Sequence, residues 1–126
     1  MTDNIFADRL AKVRQRFVST LASKIDGTCA AMANAGGEGP PAAPAEAIAQ
    51  AYLCIHGIVG IGRTVGFPDT AQAAHAVEDV LRQPYRAARG LTADEIPLLQ
   101  NSLQALREIA ARELQSFHSL HNDGVP

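Results

Sequence analysis

Tyr52-Leu-Cys-Ile-His-Gly-Ile-Val-Gly-Ile-Gly-Arg-Thr-Val-Gly-Phe-Pro68 is the stretch on which the reading of this chain turns. Ile48, Ala51, Ile55, Ile58, Gly62 and Val65 recur at helical spacing, so one apolar stripe runs along a helix from Pro44 to Val65. Its end is marked by three residues in a row. Gly66 suits the left-handed position after a helix, Phe67 the apolar contact that often follows, and Pro68 the first turn of a new helix. Two helices therefore meet in an αα-hairpin. At 100° per residue the centre of the stripe lies roughly 125° from His56, which puts the imidazole on the solvent side. Tyr52, Val59, Gly60 and Arg63 are placed in the same outward sector. A glycine inside a helix costs about 1 kcal/mol relative to alanine, and this helix holds Gly57, Gly60 and Gly62. Gly60 removes the side chain that would cover His56 from one turn away, leaving room for a partner; Gly62 faces inward, where a small residue allows close helix contact.

The same periodicity extends outward in both directions. Phe6, Leu10, Val13, Phe17, Leu21, Ile25 and Met32 form the stripe of a first helix over about 4–33. Residues 34–43, rich in Gly, Pro and Ala, break it and read as a flexible loop. Beyond the hairpin, Thr70, Ala73, Ala74, Val77 and Leu81 define a third helix over about 68–83, which Pro84 and Gly90 limit. Thr92-Ala-Asp-Glu95 is a capping box, and Ile96, Leu99, Leu103, Leu106, Ala110, Leu114 and Phe117 carry a fourth stripe that ends in a frayed tail at about 121–126. Four amphipathic helices with mostly short connections predict an all-α, up-and-down antiparallel four-helix bundle.

The 126 residues are the size of one domain, so 1–126 is read as a single unit. Hydrophobic residues make up 47%, enough to fill a core. Eleven Lys and Arg against thirteen Asp and Glu leave no general attraction to nucleic acid or anionic membrane, so a partner must recognise a local patch. His56 and Arg63 interrupt the longest apolar run short of a membrane span, and a soluble, cytoplasmic monomer is expected. Cys29 and Cys54 are too few for a disulfide framework and have no zinc spacing; both are expected as small buried hydrophobes.

The stretch from His56 to Pro68 resembles the phosphoacceptor helix of histidine phosphotransfer (HPt) domains, which carry a His, a Gly four residues later and a Gly-Phe-Pro-like turn. Here these are His56, Gly60, Gly66, Phe67 and Pro68, with Thr64 also in its usual place. Ala73-Ala-His-Ala-Val-Glu-Asp-Val-Leu-Arg82 is similar to the family's third helix. Val59 stands where many members carry Lys, and Ile61 where many carry a small residue. The resemblance implies that His56 accepts a phosphoryl group from the phospho-aspartate of a response-regulator receiver domain, or from a sensor histidine kinase, and passes it to another receiver. It also implies a carrier without turnover of its own, one that needs no cofactor because Mg²⁺ and the acidic pocket belong to the receiver. Imidazole ordinarily has a pKa of about 6.5, so histidine is largely neutral and nucleophilic at pH 7. A second reading is a docking module that binds a receiver or kinase without transfer; Val59 and Ile61, as added apolar surface, favour it.

Other patterns weigh less. Gly57 to Thr64 nearly spells a phosphate-binding loop with Arg63 for the lysine, but no strand precedes it. His118 and His121 lie one helical turn apart without a carboxylate or thiol set for a metal. His75 reads as a surface residue, and Arg82, Arg86 and Arg89 as a solvated basic stripe.

Overall fold

The computed structural model describes the backbone of residues 2–35 and 42–123 and the side chains of 5–31 and 45–119. Among the described residues four helices follow in order: α1 (Thr2–Ala35), α2 (Ala42–Val65), α3 (Pro68–Ala87) and α4 (Glu95–Asp123). Each packs on its chain neighbours, and α1 on α4 closes the ring, which is the up-and-down antiparallel bundle expected. Phe17 approaches Gly62 and the Cys54 sulfur lies beside the Lys24 carbonyl, so α1 and α2 run in opposite directions. The core is made from the four stripes: Phe17, Leu21 and Ile25; Ile48, Ile55, Ile58 and Val65; Ala74, Val77 and Leu81; Leu99, Leu103 and Leu106.

The turn between α2 and α3 is built as its sequence predicts. Gly66 takes φ +93°, and the Phe67 N–H donates to the Gly62 carbonyl at 2.8 Å. The buried Phe67 ring sits between Phe17 (5.3 Å) and Phe117 (5.6 Å). A Cβ on Gly62 would meet Ala71 at 3.3 Å, the Phe67 carbonyl at 3.4 Å and Phe17 at 3.5 Å, so glycine there permits close contact. The two terminal helices hold the turn from either side. Arg14 Nε donates to the Val65 carbonyl at 2.9 Å, satisfying an exposed end of α2. Glu113 accepts from the Thr70 N–H at 2.6 Å and the Asp69 N–H at 3.2 Å, and so caps α3 from α4.

Four expectations are corrected. Phe6 and Val13 are exposed, not in the core. Because α2 ends at Val65 opposite Arg14, the α1 residues before Arg14 have no α2 beside them. The third helix continues through a buried Pro84 to Ala87. It closes with Ala88 in the left-handed conformation (φ 50°) and the Arg89 N–H on the Pro84 carbonyl at 3.1 Å. Cys29 and Cys54 are free but only half-buried, on the flanks of α1 and α2. Over Ala45–Val65, α2 is long and apolar enough to cross a membrane by length and composition, contrary to the run-length argument. That apolarity is what a core helix with two packed flanks requires, and Ile48, Ile55 and Ile58 are buried in the bundle.

The expected loop at 34–43 is helical at both margins, while 36–41 lie outside the described residues. In the expected tail the backbone is helical to Asp123, and 124–126 lie outside. The capping box forms: the Thr92 N–H donates to Glu95 Oε1 at 2.8 Å and the Glu95 N–H to Thr92 Oγ1 at 3.3 Å.

Candidate functional site

His56 projects from the middle of α2 with 65% of its side chain exposed. Its Nδ1 lies 2.6 Å from Oε2 of Glu78 on α3, whose side chain is only 7% exposed. A carboxylate oxygen can only accept, so Nδ1 donates to Glu78 and, in the neutral ring, Nε2 carries the lone pair. The buried carboxylate therefore fixes both the ring's orientation and its tautomer. Its other oxygen, Oε1, accepts from Arg82 Nη2 at 3.4 Å, and Arg82 Nη1 binds Asp79 at 2.9 Å. Partial desolvation would lower the Arg82 pKa, but hydrogen bonding with Tyr52 and Asp79 holds it above its ordinary value.

Tyr52 is half-buried one turn before His56, its ring parallel to the imidazole at 6.0 Å and stacked on Tyr85 at 4.2 Å. The extension of α3 past Pro84 is what brings Tyr85 there. Gly60 is exposed, and a Cβ built on it meets nothing within 4 Å, so the approach to His56 one turn further along is open. Its carbonyl accepts from the Thr64 hydroxyl at 3.2 Å. Arg63 is exposed about two turns beyond His56.

Of the residues expected in the outward sector, Val59 is misplaced. It is buried and belongs to the core cluster. Val59 stands only about 60° from the centre of the α2 stripe, and α3 packs over that flank. It offers a partner no surface, whereas Ile61 and Leu53 are exposed.

Sequence reasoning assigned Glu78 no role. Its signal was a lone acid beside Val77 and Leu81 on the inward side of α3, where an unpaired carboxylate is costly and a partner must exist. The basic stripe is likewise not simply solvated: Arg82 pairs with Asp79 and Glu78, and Arg89 with Glu95 at 2.8 Å. The Arg89 guanidinium, with help from Thr92, holds the Glu95 carboxyl down at about 2 against a desolvation that would raise it.

Of the remaining candidates, His75 joins the edge of this cluster through Asp79, which also binds Arg82. His75 is half-exposed and lies 3.4 Å from Asp79. His118 is exposed, edge-on to Phe117, and the His121 side chain lies outside the described residues. Gly57 to Thr64 is continuous helix, which removes the strand–loop–helix context of a phosphate-binding loop.

A family model described as Hpt domain matches residues 12–109. No curated protein and no solved structure matches the chain.

Proposed function

The chain belongs to the Hpt domain family, whose members are phosphocarrier modules of two-component signalling, and from that premise we propose that it carries phosphoryl groups on His56 between receiver domains of a phosphorelay. The observation that supports this site is the pairing of an exposed imidazole with a buried carboxylate 2.6 Å from Nδ1.

In the proposed step the Nε2 lone pair attacks the phosphorus of a receiver's aspartyl phosphate. The N–P bond forms as the P–O bond breaks, and the released electron pair stays on the aspartate carboxylate. The ring takes up positive charge while keeping its Nδ1 hydrogen, and Glu78 is the group that stabilises that charge. Onward transfer reverses the step: the second carboxylate attacks phosphorus and the pair returns to Nε2. No proton has to leave the site. Positioning is most of what phosphoryl transfer asks of this chain, and the open ground at Gly60 admits the partner that supplies Mg²⁺ and the acidic pocket.

His56→Gln should keep the fold and abolish acid-labile, alkali-stable labelling from a phosphorylated receiver, whereas His75→Gln and His118→Gln should still label. Label that survives His56→Gln refutes the site. The docking-module reading keeps the support of Ile61 but loses that of buried Val59. A wild type that binds phosphorylated receivers yet accepts no label from them would establish it instead.

A further inference from the structure

We propose that the exposed face near the start of α1 seats the protein on an anionic lipid surface. Between residues 5 and 16 the chain carries Arg9, Lys12, Arg14 and Arg16 against one acid, Asp8. At 100° per residue, Lys12, Ile5, Arg16, Arg9, Val13 and Phe6 follow one another across about 120° of the helix, and Asp8 falls outside that sector. All six are exposed, Phe6 by 71% and Ile5 by 56%. Among the described ion pairs none holds Arg9, Lys12 or Arg16. Arg14, on the other side of the helix, is engaged by the Val65 carbonyl.

Large apolar side chains set among unpaired cations on one stripe of one helix are the pattern of a helix that lies in a lipid interface. The apolar groups sink below the headgroups while the long cationic stems reach up to them. The sector is the convex side of a single helix and holds no neutral hydrogen-bonding side chain. A protein partner would be recognised partly through such groups, whereas a fluid anionic surface asks only for charge and apolar area. A second copy of the chain is disfavoured, because facing copies would set like charges against one another. The whole chain carries a net charge of −2, so the attraction belongs to this face alone.

The placement leaves the histidine free. His56 lies in the middle of α2 and leans on Glu78 of α3, whereas the face lies on α1 where that helix meets and passes the end of α2 at Val65. A protein seated by α1 thus keeps its imidazole open to solvent. Seating does not depend on phosphotransfer, and His56→Gln should bind lipid as the wild type does.

The test is sedimentation of the full chain with phosphatidylcholine vesicles, with and without phosphatidylserine, thermal melts confirming that each variant is folded. The chain should sediment with the mixed vesicles and not with phosphatidylcholine alone. Raising salt from about 0.01 to about 0.1 M shortens the Debye length from about 30 to about 10 Å and should weaken binding about tenfold. Each cation near such a surface contributes about fivefold, so the triple variant Arg9→Gln, Lys12→Gln, Arg16→Gln should bind about a hundredfold more weakly. Phe6→Ser should weaken binding about tenfold, and Arg86→Gln, an exposed cation at the far end of α3, by less than about twofold. Equal sedimentation with both vesicle types, or none with either, overturns the inference, as does binding that the triple variant leaves intact. Two further results overturn lipid seating and reassign the face. If no vesicle binds and the triple variant slows transfer from a phosphorylated receiver, the face is a protein contact; if no vesicle binds and Phe6→Ser abolishes a concentration-dependent dimer, the face pairs two copies.

Discussion

Replacing Glu78 by Gln preserves the size of the side chain and removes its charge, so it isolates what the carboxylate does for His56. A hydrogen bond to a charged group contributes about 1.5–3 kcal/mol. Since 65% of the imidazole side chain is exposed, screening places this 2.6 Å bond at the lower end, about 1.5 kcal/mol. If that amount is felt as the ring gains positive charge, transfer from a phosphorylated receiver slows about tenfold. Rapid-quench measurement of labelling gives the rate, and nitrogen-detected NMR of the imidazole gives the tautomer. The wild type should show hydrogen on Nδ1, and Glu78→Gln should lose that preference, because an amide can turn either its N–H₂ or its oxygen toward the ring. Stability should change by no more than about 1 kcal/mol, since a desolvated charge is lost along with its bonds. Wild-type transfer in a folded Glu78→Gln variant whose ring still keeps hydrogen on Nδ1 would refute the assignment of Glu78 as the orienting group.

Gly60→Ala should raise stability by up to about 1 kcal/mol in thermal denaturation, because helix propensity improves and nothing lies within 4 Å; Gly60→Leu should stay folded yet obstruct transfer, and equal loss of both would mean the position is covered. Glu113→Ala removes the cap on two N–H groups of α3 and should cost about 1–2 kcal/mol, lowering the melting temperature by about 4–8 °C. Glu95 is depressed in the folded chain, from an ordinary 4.5 to about 2, so its contribution is present above about pH 4.5 and lost as pH falls toward about 2. With Arg89 partly exposed, this amounts to about 1 kcal/mol, and Arg89→Gln should flatten that part of an acid titration of stability.

Local signals in the sequence located what depends on neighbours in the chain. The Gly66-Phe67-Pro68 turn and the Thr92–Glu95 box are satisfied by backbone and side chains a few residues away, and both form as expected. Features that depend on distant elements were not legible. A helical wheel centres one stripe, but α2 is packed on two flanks, and the second flank buries Val59. Periodicity continued the α1 stripe through Val13 to Phe6 because it carries no information about where the covering helix stops. Pro84 read as a stop, yet its burial and the Ala88 closure extend α3 by a turn. Half of the site was visible: His56 and Gly60 are placed by α2 alone, while Glu78, 22 residues away, joins them only through the way α3 packs.

The pinned turn between α2 and α3 sets a tolerance for this chemistry. One residue of helix spans about 1.5 Å, so sliding α3 along α2 by that single step would lengthen and weaken the 2.6 Å hydrogen bond between Glu78 and His56. The residues that forbid the slide, Arg14 on Val65 and Glu113 on Asp69 and Thr70, belong to helices that supply nothing to the imidazole itself. Loosening either outer helix would thus detune the histidine before the bundle melts, and amide exchange at Asp69 and Thr70 would report that detuning from a distance.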